Sequence, residues 1–72
     1  MDINYKELDR KTIVDYIANN GGTVSVEDII NNSGAEKLRV YSILFEEKLE
    51  KNLEVIEEGY LGAPKVVKLI KA

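Results

Sequence analysis

The sequence predicts an α+β domain of three helices closed by a C-terminal β-hairpin. Three observations carry that expectation. Two segments, about residues 5–20 and 36–51, repeat their apolar residues at helical spacing. Between them stands a helix-start signal, Ser25 followed three residues later by Asp28. Beyond them the pattern changes to two strand-like runs, "LEVIEE" and "KVVKLIK", on either side of "GYLGAP".

The first helix is expected from about Tyr5 to Asn20. Leu8, Ile13, Tyr16 and Ile17 fall mainly on one side, with Asp9, Arg10, Lys11 and Asp15 outside. Asn4 is placed to cap it, with Glu7 three residues on, and Asp9 is a rival start. Gly21-Gly22 closes it, because glycine accepts the left-handed conformation that ends a helix. "TVSV" then has room for no more than a one-bridge strand.

The second helix should run from about Val26 to Asn32. Ser25 caps it, and Val24 and Ile29 are placed to staple the chain across the cap. Ser33-Gly34 breaks it, and a third helix begins near Ala35 or Glu36. Continued to about Lys51, that helix is roughly 24 Å long. At 100° per residue, Leu38, Val40, Tyr41, Leu44, Phe45 and Leu49 occupy about half of its circumference. Arg39, Glu46, Glu47 and Glu50 take the opposite arc, with Ile43 among them and Glu47–Lys51 spaced as a favourable i,i+4 pair.

The hairpin follows. Pro64 suits the start of its second strand but not the middle of a sheet. Alternation groups Leu53, Val55, Val67 and Leu69 toward a core and leaves Ile56, Val66 and Ile70 pointing outward together. Such an apolar cluster suggests a partner, a second copy included, unless the N-terminal Met1-Ile3-Tyr5 segment covers it. Glu54, Glu57 and Glu58 face a strand carrying Lys65, Lys68 and Lys71, which suits cross-strand ion pairs.

Composition narrows the functions. The 72 residues form one domain, spanning 1–72. They include no cysteine and no histidine, which removes the thiolate nucleophile, the usual general base and the commonest metal ligands. No enzyme, metal or cofactor is therefore expected. No apolar run approaches the roughly 20 residues that span a bilayer, and the first residues form no signal peptide, so the expectation is a cytoplasmic protein. The net charge of -3 means that any nucleic-acid surface must be assembled locally.

The order of elements, with "SVEDIINNSGAEKLRVYSIL" leading into "EKNLEVIEE" and "KVVKLI", resembles the winged helix-turn-helix superfamily. The resemblance covers about residues 5 to 71. Ser25-Val26-Glu27-Asp28-Ile29 looks like the start of the family's second helix, Gly34 lies where the tight turn falls, and Val40 and Leu44 where the third helix packs back. Asn52-Leu53 replaces the usual Gly-hydrophobic step into the wing, Asn also tolerating the left-handed conformation.

The resemblance implies a DNA-binding protein, a homodimer acting in transcription regulation or a related DNA transaction. The N-terminal half of the third helix would then offer Lys37, Arg39, Ser42 and an outward Ile43 to base edges. Tyr60 and Lys65 on the wing would meet the backbone of double-stranded DNA. Glu46 and Glu50, further along the same face, would repel phosphates, so the helix would have to dock by its N-terminal end. The alternative is a winged-helix module for protein–protein interaction that binds no nucleic acid, using the outer sheet residues and the acidic third helix.

Overall fold

A computed structural model of the chain describes residues 5–70. Three helices pack against a three-stranded antiparallel sheet, in the order α1 (Tyr5–Asn19), β1 (Thr23–Ser25), α2 (Val26–Asn32), α3 (Lys37–Leu49), β2 (Leu53–Glu58) and β3 (Pro64–Leu69), with a 3-10 turn over Tyr60–Gly62 at the hairpin tip. Asn4, the Met1–Ile3 segment and Lys71 lie outside the described residues.

Local chemistry sets most boundaries. Gly21 and Gly22 both take positive φ, 90° and 86°, and the Gly22 amide donates to the Ile17 carbonyl at 2.9 Å to close α1. The Ser25 hydroxyl accepts from the Asp28 amide at 3.1 Å, and α2 runs over the residues its cap predicts. Gly34, at φ 83°, turns the chain into α3. That helix starts at Lys37 and ends at Leu49, about a residue late and two residues early against expectation. Its end also differs in chemistry. The left-handed residue is Lys51, at φ 63°, while Asn52 donates its backbone amide to the Glu47 carbonyl and its side chain to the Glu47 carboxylate, both at 2.9 Å.

"TVSV" does more than one bridge requires. Thr23, Val24 and Ser25 pair with Lys68, Val67 and Val66, which makes β3 the central strand of the order β1-β3-β2. On the other edge Leu53 pairs with Leu69 and Val55 with Val67, and the register slips between Val55 and Glu57, leaving Ile56 at a bulge. Pro64 opens the central strand, where its missing N–H costs no ladder bond further in.

The core gathers Ile13 and Ile17 of α1, Val26 and Ile29 of α2, Val40, Ile43 and Leu44 of α3, and Val24, Leu53 and Val67 of the sheet. Each such side chain, fully buried, stabilises by about 1.5–3 kcal/mol. Two expectations about core faces fail. Leu8 is exposed on α1. More consequentially, α3 is turned about its axis: Ile43 and Glu47 are buried, whereas Leu38, Phe45 and Leu49 stand in solvent at 73%, 61% and 65% exposure.

The reason for that rotation lies on α1. Asp9 and Arg10 do not face outward but meet α3. Arg39 donates to Asp9 at 2.8 Å, Arg10 donates to Glu46 at 2.7 Å, Lys6 also pairs with Glu46, and Arg10 lies 3.4 Å from Glu47. The charged arc of α3 is therefore an inter-helix seam of alternating sign, and the helix turns its polar side to α1 while Val40, Ile43 and Leu44 enter the core beside it. Glu47, oriented by Arg10 and Asn52, faces inward instead of pairing with Lys51 along the helix.

Candidate interaction site on the third helix and hairpin

The α1 seam decides what α3 presents to solvent. With Arg39 and Glu46 turned to one flank and Tyr41 and Lys48 to the other, the outward stripe consists of Leu38, Ser42, Phe45 and Leu49. Their spacing of four, three and four residues keeps them on one line down the helix. Beside this stripe, a groove of about 520 Å³ runs between α3 and the hairpin. Leu38, Ser42, Phe45 and Lys48 form its helical wall, and Val55 and Pro64 its sheet wall.

The five residues expected to contact DNA are not gathered in one groove. Arg39 is drawn onto α1, its guanidinium held by Asp9 and 6.0 Å from the Tyr5 ring centre. The hydrogen bond it donates to Asp9 raises its pKa further, so it is a fixed cation engaged within the fold. Ser42 lies in the apolar stripe. Lys37, Tyr60 and Lys65 do come together, lining a second groove with Ser25 and Glu27 at the start of α2. Lys65 in that group pairs with Glu57 at 3.2 Å across the hairpin. Ile43, expected to point outward, is in the core.

The three outer sheet residues are dispersed as well. Ile56 is half-exposed at the bulge, Val66 is partly buried on the central strand and lines the Lys37 groove, and Ile70 lines a different groove beside Leu53. Strand alternation puts them on one face, but β1 beside β3 and the bulge in β2 separate their surroundings.

The carboxylate that joins α3 to two cations of α1 is structural. Glu46 titrates below its ordinary 4.5 because Lys6 donates a hydrogen bond to it, with both Lys6 and Arg10 favouring its charged form. No cluster of three or more metal-ligating side chains occurs among the described residues. No described helix is long and apolar enough to cross a membrane. The hairpin tip adds further exposed apolar surface: Tyr60 and Leu61 both project, and Leu61 does so from a left-handed φ of 58°.

Sequence reasoning missed Leu38, Phe45 and Leu49 as surface residues. The signal was present in Ile43, an apolar residue set among charges, which with Val40 and Leu44 makes a second apolar arc. Comparison with protein-family models, with curated proteins and with solved structures returns no match.

Proposed function

We propose that the chain is a winged-helix module that binds a protein partner through the outer stripe of α3 and the adjoining groove. The observation that carries this reading is the apolar character of the helix face that a winged-helix DNA binder would set into the major groove. Leu38, Phe45 and Leu49 are each more than half exposed there. The major groove is lined by hydrogen-bonding base edges and flanked by phosphates, so large apolar side chains gain little beyond a thymine methyl. Against an apolar helix or strand the same side chains lose their water exposure on both sides, worth roughly 25 cal/mol per Å² before the cost of association.

Charge supports the same reading. Arg39, the cation best placed on α3, is engaged by Asp9, and the chain as a whole carries -3. A nucleic-acid reading keeps one specific support, the shared groove of Lys37, Tyr60 and Lys65, which combines two cations with an aromatic ring at the hairpin.

Fluorescence-anisotropy titrations separate the two. Short helical peptides bearing an apolar stripe are expected to bind the wild type in the micromolar range and to lose binding to Phe45→Lys. Labelled duplex DNA is expected to show no binding even at low salt, where nonspecific phosphate affinity is greatest. Salt-dependent duplex binding that disappears in a Lys37→Ala/Lys65→Ala variant, with no peptide bound, would overturn the proposal.

A further inference from the structure

We infer that the partner seated on the α3 stripe is a second copy of this chain, its α3 lying antiparallel against the first. This rests on the interaction-module reading and names its occupant. Leu38, Ser42, Phe45 and Leu49 follow the alternating four- and three-residue spacing of a two-helix seam. The stripe spans about 16 Å, three turns of helix.

The order of side chains selects the antiparallel arrangement. A two-fold axis between Ser42 and Phe45 sets Leu38 against Leu49 of the partner subunit and Ser42 against Phe45 of the partner subunit. Large then meets small at the centre, and apolar meets apolar at both ends. A parallel pair would instead stack the two phenylalanines on each other and leave the two serines facing across a gap.

Charge on the flank agrees. Arg39 and Glu46 border the stripe on the same side, and in an antiparallel pair that flank faces its own copy with direction reversed. Arg39 is thereby brought toward Glu46 of the partner subunit, and Glu46 toward Arg39 of the partner subunit. Both side chains stay paired to α1 and about one-third exposed, at 38% and 34%, so the two copies meet there with complementary charge and no new direct ion pair. On the other flank Lys48 approaches the partner's Tyr41, with the partner's Lys37 at about the same level, so the favourable charge lies on the Arg39–Glu46 side alone. A seam of three turns lies at the small end of protein interfaces, where weak, reversible association is expected, on the order of 10–100 μM.

Sedimentation equilibrium of the full chain across that range should show a reversible monomer–dimer equilibrium, with Phe45→Lys monomeric at every concentration and unchanged in its circular dichroism. Orientation is read by cross-linking, since the chain has no cysteine of its own. A mixture of Leu38→Cys and Leu49→Cys chains should form mixed disulfides faster than either alone. A wild type monomeric throughout would overturn the inference while leaving peptide binding to the stripe, and with it the module reading, standing. A dimer that persists in Phe45→Lys, or one in which Leu38→Cys chains link fastest to each other, would overturn the seam or its direction.

Discussion

At the scale of single residues, Lys51 and Glu47 show how the end of α3 is held. Lys51 occupies the left-handed position where glycine is favoured, and its side chain is exposed. Lys51→Gly is therefore expected to stabilise the fold by about 0.5–1 kcal/mol, measured by urea denaturation. A loss of stability would mean that the lysine side chain makes a contact of its own. Glu47 is the reverse case, a carboxylate only 5% exposed whose partners are Arg10 and Asn52. Glu47→Ala leaves the Asn52 side chain without its acceptor and Arg10 with Glu46 in place of two flanking carboxylates, and should destabilise by about 1–3 kcal/mol in the same assay. An unchanged midpoint would show that Glu46 alone satisfies Arg10.

At the scale of elements, α2 and α3 differ in how far the sequence determined them. The bounds of α2 follow from the Ser25–Asp28 pair and the Ser33-Gly34 break because caps and turns are local devices, made by residues a few positions apart. Ser25→Ala should accordingly cost about 1 kcal/mol. The two apolar arcs of α3, by contrast, are close to equivalent in the sequence. Choosing between them depends on where α1 lies, and that information resides in Lys6, Asp9 and Arg10, thirty residues and more away in the chain. The same nonlocal pairing explains why Arg39 read as a free cation and Glu46 as an exposed acid. Similarly, β1 looked too short to matter until β3 supplied three register partners.

The α1–α3 seam has a pH signature. Lys6 and Arg10 hold Glu46 below its ordinary value, so the folded chain binds fewer protons than the unfolded one just below pH 4.5. The stability Glu46 contributes is fully present above that ordinary value and is lost as pH falls through its depressed folded value. Glu46→Gln should flatten this part of the acid denaturation curve while leaving the slope near neutral pH unchanged. A variant with the wild-type acid profile would show that the seam does not bear the pH dependence.

At the scale of the whole molecule, the charged arc of α3 is spent on internal cohesion, and one of its two apolar arcs, Leu38, Phe45 and Leu49, on the surface. This inverts the arrangement of a helix that reads DNA, even though the order of elements resembles one. Phe45→Lys is thus expected to leave the unfolding free energy within about 0.5 kcal/mol of wild type, as for most exposed substitutions, while abolishing partner binding. The most direct test is a ¹H–¹⁵N correlation spectrum of the chain titrated in parallel with an apolar-stripe helical peptide and with duplex DNA at low salt. The peptide should shift the amides of Leu38, Ser42, Phe45 and Leu49, and the duplex should shift none. Salt-sensitive shifts at Lys37, Tyr60 and Lys65 with the duplex, and none with the peptide, would contradict the assignment of α3 as a protein-binding face.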